Sequence, residues 1–192
     1  MKERDTNIDL LKLCMAFLVV LVHYHPTFDS FFLSYILNDI YRVAVPVFFM
    51  LSGFYLKKIS DASQTQRWIS KIITIYIIWM TIYFMYYYFL KGDKEHAYYL
   101  LTKISDGWYH LWYFPALIMA YSVAYIIKDK STLKIIIILS LLLSALYYLQ
   151  IITVKEVKLG GYRNFIFMAL PCIIIGMLIF RFKKFITKNF FY

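Results

Sequence analysis

The chain has 192 residues, of which 62% are hydrophobic and 21% are aromatic, and it carries a formal net charge of +10. A soluble domain of this size could not bury so much apolar surface, so the composition excludes a soluble globular protein and indicates a membrane protein with several spans. The basic excess is typical of cytoplasmic loops and of contact with anionic lipid headgroups. We therefore expect the lipid bilayer, and no nucleic acid, as a partner.

Six apolar segments predict an all-α bundle of about six transmembrane helices, in a single domain over residues 1–192. In chain order they cover residues 8–24, 43–56, 69–90, 111–127, 133–152 and 165–180. The polar connection at residues 57–66 is predicted to be a cytoplasmic loop. Aromatic residues at positions 83–88 and 108–112 form two belts that suit a membrane interface.

The distribution of basic residues predicts the orientation of the bundle. The N-terminal segment, the second and fourth connections and the C-terminal tail carry 14 of the 21 lysines and arginines. By the positive-inside rule, both termini then lie in the cytoplasm. The sequence thus predicts a multi-pass protein of the cell membrane.

The first segment contains two ionisable residues, Lys12 and His23, in an otherwise apolar run. Their spacing is close to three turns of an α-helix, so both side chains project from one face, roughly 16 Å apart along the axis. Ionisable groups in a spanning helix are costly in lipid and favour a polar interior, which makes this face a candidate site. The alternative is that Lys12 extends to the near surface and that His23 lies in the far interface.

Arg42 and Ser52 are the candidates in the second segment. Arg42 starts this segment from the outer side, at a depth similar to that of His23. A neighbouring cation disfavours the charged form of a histidine, and a general base must be neutral. The alternative for Arg42 is an ordinary interfacial arginine. Ser52 could contact a ligand, but Ser52 and Gly53 also form a small surface for close helix packing, which is the more frequent role.

Arg67 and Lys71 are four residues apart at the start of the third segment, on one helix face. Two such cations suit a phosphate-bearing ligand, and they equally suit anionic lipid headgroups.

Further candidates lie at the outer side. His110 and Trp112 belong to the second aromatic belt, where an interfacial role is the alternative. Arg163 and Asn164 precede the sixth segment, where the alternative is a solvated loop. No spacing of histidines, cysteines or carboxylates predicts a metal site.

Four motifs follow one another in the chain. They are Lys12-x10-His23, Arg42-Val-Ala-Val-Pro-Val-Phe-Phe-Met-Leu-Ser-Gly-Phe54, His110-Leu-Trp-Tyr-Phe-Pro-Ala-Leu117, and Arg163-Asn-Phe-Ile-Phe-Met-Ala-Leu-Pro171 with Gly176. In this order and spacing the chain resembles the acyltransferase-3 family of integral membrane acyltransferases, over residues 7–180. The family has an Arg-x-x-Arg near its third helix, whereas Arg67 and Lys71 stand one residue further apart. It also has about ten helices, so the resemblance implies the N-terminal part of the domain, truncated at its C-terminus.

The resemblance implies an O-acyltransferase that moves an acyl group, often acetyl, from a cytoplasmic acyl-CoA to a hydroxyl of a sugar, cell-surface glycan or lipid. It implies His23 as the catalytic base, and binding of donor or acceptor by Lys12, Arg42, Ser52, Arg67, Lys71, His110, Trp112, Arg163 and Asn164. Acyl-CoA is then a substrate, and we expect no bound cofactor and no metal. The alternative is a non-catalytic, transporter-like or partner-binding membrane remnant of such an enzyme.

Overall fold

The computed structural model describes residues 6–24, 36–37, 40–56, 61–105, 107–153 and 164–190. In this part of the chain every regular element is helical, as predicted. The helices are α1 (Thr6–Tyr24), α2 (Ala44–Leu56), α3 (Ala62–Met85), α4 (Lys94–Thr102), α5 (Tyr113–Ile127), α6 (Thr132–Thr153) and α7 (Leu170–Phe190). Wide π-helical turns at Tyr86–Leu90 and Phe165–Ala169 continue α3 and precede α7, and a 3-10 turn at Tyr109–Trp112 precedes α5.

Four helices among the described residues are long and apolar enough to cross a membrane. They are Thr6–Tyr24, Ala62–Leu90, His110–Ile127 and Phe165–Lys183. The second predicted segment forms a shorter apolar helix at Ile40–Leu56, and the fifth lies on α6, which is apolar over Thr132–Leu146 and continues to Thr153. The all-helical fold is therefore confirmed, with four helices in the described residues that could cross a membrane, while the number of spans and the side of each terminus remain predictions.

The third helix begins earlier than predicted. Residues 62–66 were expected in a loop but belong to α3, so that prediction is wrong there, and residues 57–60 lie outside the described part of the chain. The cause is a helix cap, because Asp61 has an extended backbone and its carboxylate accepts from the backbone N–H of Ser63 at 3.0 Å. Donation by the Ser63 hydroxyl, and then by this N–H, lowers the pKa of Asp61 below its ordinary value.

Helix α4 was not predicted. It begins after Asp93, whose carboxylate accepts from the backbone N–H of His96 at 2.9 Å, and it buries Ala97 and Leu100 completely. Just after its end, the carbonyl of Ile104 accepts from the Tyr76 hydroxyl of α3 at 2.6 Å. An acidic cap followed by apolar residues one turn apart is a helix signal that was available in the sequence.

Helices α2 and α7 form the closest helix contact of the core. A methyl group added at Gly53 would lie less than 3.0 Å from the backbone of Ile173, and one added at Gly176 would meet the backbone of Met50 as closely. The ring of Phe54, near the end of α2, meets the ring of Phe180, in the middle of α7, with centroids 5.2 Å apart. Gly53 thus serves close helix packing, as small residues in membrane helices often do.

Arg181 of α7 fixes the turn between α5 and α6. Its Nη1 donates to the Thr132 hydroxyl at 2.8 Å, and its Nη2 donates to the carbonyls of Lys128 and Lys130 at 2.8 and 2.6 Å. Because the last carbonyls of a helix lack partners within it, the guanidinium acts as a C-terminal cap for α5. The basic tail is helical as far as Phe190.

The contacts define two ends of the bundle. At the Lys12 end, the Lys12 ammonium lies 5.0 Å from the ring centre of Tyr55 on α2, and Trp68 of α3 stacks on Tyr121 of α5 at 4.3 Å. Arg181 and its partners lie at this end because they close the turn after α5. The opposite end, here the His23 end, holds the end of α1 and the starts of α2 and α5.

Labelling from one side of the membrane tests the predicted orientation. In a protein with Cys14→Ser and Cys172→Ser, we expect a membrane-impermeant maleimide to label Glu95→Cys from outside and Lys188→Cys only after permeabilisation. The physical reason is the excess of basic residues at the Lys12 end. Labelling of both positions from the same side would contradict the orientation.

Candidate functional site

Three rings from three helices meet at the His23 end. The ring of His110 lies 5.5 Å from that of His23, measured between centroids, with the planes at 65°. The ring of Tyr83, near the end of α3, lies 5.9 Å from His110 at a plane angle of 66°. Both histidines are exposed on the protein surface. Two predicted site residues that are distant in the sequence are therefore neighbours in the fold.

The backbone around His110 is held by its neighbours in the sequence. Gly107 has a φ of +78°, and a methyl group there would clash with the backbone of Trp112, so this tight turn requires glycine. The backbone N–H of Leu111 donates to the carbonyl of Trp108 at 2.8 Å, and the Leu111 side chain is 1% exposed. The imidazole of His110 thus projects outward from a fixed turn.

Lys12 lies in the other half of α1. Its Nζ pairs with Asp9 Oδ1 at 3.2 Å and lies over the ring of Tyr55. Eleven residues of helix separate it from His23 by roughly 16 Å along the axis, so the two side chains do not share one small site. The Lys12 side chain is half-buried, and its charge lies at the end of the bundle opposite His23.

Ser52 and Trp112 take part in core packing. The Ser52 hydroxyl donates to the Phe48 carbonyl of its own helix at 2.9 Å, and it also forms a hydrogen bond with the Tyr113 side chain. Trp112 packs against Phe49, with ring centroids 6.3 Å apart. These contacts join α2 to α5, and a ligand-binding role for either residue stays a prediction.

The other four described residues of the predicted site fall in three places. Arg42 is exposed just before α2, at the His23 end, and Arg67 and Lys71 are exposed on the first turns of α3, at the Lys12 end. Asn164 caps the turn before α7, because its side-chain oxygen accepts from the backbone N–H groups of Ile166 and Phe167 at 3.0 and 2.9 Å. Arg163 lies outside the described residues.

The geometry separates two kinds of chemistry. The His23 end offers two imidazoles, whose ring nitrogens can donate or accept hydrogen bonds. The Lys12 end offers cations that can hold an anionic group. Sequence reasoning missed Tyr83, which it placed only in an aromatic belt, because nothing in the local sequence shows which tyrosine of the belt meets His110.

A sequence profile of the acyltransferase domain matches residues 5–191. The chain belongs to the acyltransferase-3 family. The resemblance that rests on the four motifs is thereby confirmed over nearly the whole chain. A membrane acyltransferase family and an all-helical membrane fold agree with each other.

Three relatives of the acyltransferase-3 chain are named as racemases. One amino-acid racemase of Enterococcus faecalis is 36% identical over 134 residues, which cover 62% of this chain and 19% of the relative. A second amino-acid racemase of Enterococcus faecalis is 33% identical over 152 residues, which cover 73% of this chain and 21% of the relative. A serine/alanine racemase of Enterococcus gallinarum is 33% identical over 129 residues, covering 60% and 18%. The chain thus spans about a fifth of the length of the curated relatives it matches. No solved structure matches the chain.

Proposed function

We propose that the protein is an integral membrane O-acyltransferase, which moves an acyl group from a cytoplasmic acyl-CoA to a hydroxyl of a sugar, cell-surface glycan or lipid. The family supports the reaction type. The single observation that carries the site is the contact between His23 and His110 at one end of the bundle. Ionisable side chains in membrane helices are costly, and two that meet favour a functional role.

In the proposed reaction His23 acts as the general base. The neutral imidazole takes the proton of the acceptor hydroxyl as its oxygen attacks the thioester carbonyl. A bond forms between that oxygen and the acyl carbon, the carbon–sulfur bond breaks, and the departing thiolate of CoA takes the proton from His23. The products are an ester and free CoA, so the step balances without a metal or a covalent enzyme intermediate.

The Lys12 end suits the phosphates of the donor. Lys12, Arg67 and Lys71 place three cations there, and charge-assisted hydrogen bonds to phosphate oxygens are among the stronger polar contacts. The pantetheine arm of CoA is long enough for its thioester to reach away from its nucleotide. We propose that the nucleotide stays at the Lys12 end while the thioester approaches His23.

We expect Lys12→Ala to raise the KM for acetyl-CoA about tenfold or more, because a hydrogen bond to a charged group contributes about 1.5–3 kcal/mol. The kcat should change less, since Lys12 is too far from His23 to touch the reacting hydroxyl. Lys12→Arg keeps the charge and should retain more activity. Saturation curves with acetyl-CoA measure both constants.

Lys94→Ala is the matched control for this prediction. Lys94 is an exposed lysine beyond the outer end of α3, where its ammonium lies 5.6 Å from the ring centre of Tyr88. Its loss should leave the KM for acetyl-CoA unchanged. A KM for Lys12→Ala equal to that of the parent protein would show that Lys12 does not hold the donor.

A direct assay tests the proposed function. Membranes that contain the protein are supplied with acetyl-CoA labelled in the acetyl group, and alkali-labile label is measured in glycans and in lipids. Transfer above that of membranes without the protein supports the proposal. The absence of transfer to both acceptor classes would contradict it.

A second candidate function is that of a transporter-like membrane segment that handles an amino acid. The names of the relatives favour it, because one is a serine/alanine racemase and the chain matches only about a fifth of each. Uptake of labelled L-serine into vesicles that carry the protein distinguishes the two functions. Uptake without acyl transfer would favour the second candidate.

A further inference from the structure

His110 occupies a position that core packing alone does not account for. Its sequence neighbours on the C-terminal side are anchored, since Leu111 is buried against Tyr76 and Met80 and Trp112 packs on Phe49. The imidazole between these anchors and the Gly107 turn remains exposed and meets the ring of His23 edge to face. An exposed imidazole on a fixed backbone, next to a second one, is expensive in a membrane and suited to a ligand.

We propose that His110 binds the acceptor hydroxyl together with His23, which makes it a second catalytic residue of the acyl-transfer site. The proposal rests on the proposed function. The ring centroids are 5.5 Å apart, so a small acceptor group beside the pair can contact both rings at once. The N–H of His110 donates to the oxygen, and the free nitrogen of His23 accepts the hydroxyl proton.

This arrangement gives each imidazole a separate task in the step described above. The hydrogen bond from His110 fixes the oxygen so that a lone pair faces the thioester carbonyl, and the proton leaves only to His23. His110 neither gains nor loses a proton overall. Tyr83 contacts the other side of this pair through the ring of His110.

Two substitutions separate hydrogen bonding from ring packing. His110→Phe keeps an aromatic ring against His23 and Tyr83 but removes both nitrogens, and we expect its kcat to fall about tenfold to a hundredfold. His110→Gln loses the ring but retains an N–H donor and should recover part of that loss. The KM for acetyl-CoA should stay within about threefold of the parent value in both, because the donor phosphates bind elsewhere.

His96→Phe is the matched control, since it replaces a histidine that contacts Tyr87 and Trp108 beside α4. It should turn over labelled acetyl-CoA at the parent rate. The double variant His23→Ala with His110→Phe should be about as slow as the slower single variant, because residues that act on one hydroxyl give strongly non-additive losses.

The outcomes distinguish this inference from the function on which it rests. If the parent transfers label and His110→Phe does so at the same rate, His110 is not catalytic and the inference is wrong. Equal losses in His110→Phe and His110→Gln, or losses that multiply in the double variant, also overturn it, since they indicate a structural or independent role. A parent without transfer contradicts the proposed function itself.

Discussion

Gly53→Ala is expected to remove most of the folded protein from the membrane. The added methyl group would lie less than 3.0 Å from the carbonyl carbon, carbonyl oxygen and Cα of Ile173, all of them backbone atoms that cannot rotate away. Overpacking typically costs about 1–3 kcal/mol, and a clash with the backbone belongs at or above the upper end. The gain in helix propensity from glycine to alanine is only about 1 kcal/mol, so the clash decides the sign.

The melting temperature of the detergent-solubilised protein measures this effect. Gly176→Ala should lower it in the same way, because its methyl group would meet the backbone of Met50. Ala145→Leu serves as the control, since Ala145 is exposed on α6. A Gly53→Ala protein that melts with the parent would mean that α2 and α7 do not approach as closely as described.

His23→Ala is expected to abolish acyl transfer while the protein stays folded. Loss of a general base typically lowers a rate by about 10²–10⁴. The exposed ring has no share in the buried core, so its truncation should leave the melting temperature within a few degrees of the parent. The loss should appear in kcat, and the KM for acetyl-CoA should change little, since the donor phosphates are proposed to bind at the Lys12 end.

The matched control for this variant is His96→Ala, which removes a histidine outside the proposed site. It should retain the parent kcat. If His23→Ala turned over like the parent, the catalytic assignment would be wrong, and a non-catalytic membrane segment would become the better description of the chain.

The sequence predicted the helices well because apolar length is a strong local signal. Segments 8–24 and 111–127 match α1 and α5 closely. The early start of α3 and the unpredicted helix α4 also have local causes. In both cases an aspartate cap, Asp61 or Asp93, starts a helix in a polar stretch. Cap residues followed by a polar first turn are easily read as loops when hydropathy alone is considered.

The site was predictable residue by residue but not as an arrangement. His23 was a candidate from its cost in a spanning helix and from the family motifs, and His110 from the family motifs, yet only the fold shows that their rings meet. Ser52 was weighed between packing and binding, and its hydrogen bonds to Phe48 and Tyr113 favour packing. Which faces of two helices meet depends on the whole bundle, so local sequence could not supply these pairings.

The most direct measurement of the proposed reaction follows both products in one reaction. Membranes with the parent protein receive acetyl-CoA labelled in the acetyl group, and free CoA thiol and alkali-labile labelled ester are quantified over time. Direct transfer through His23 predicts one thiol released for each ester formed, with both rates reduced at least about a hundredfold in His23→Ala. Thiol and ester formation that proceed equally fast in the parent and in His23→Ala, or that do not exceed those of membranes without the protein, would contradict it.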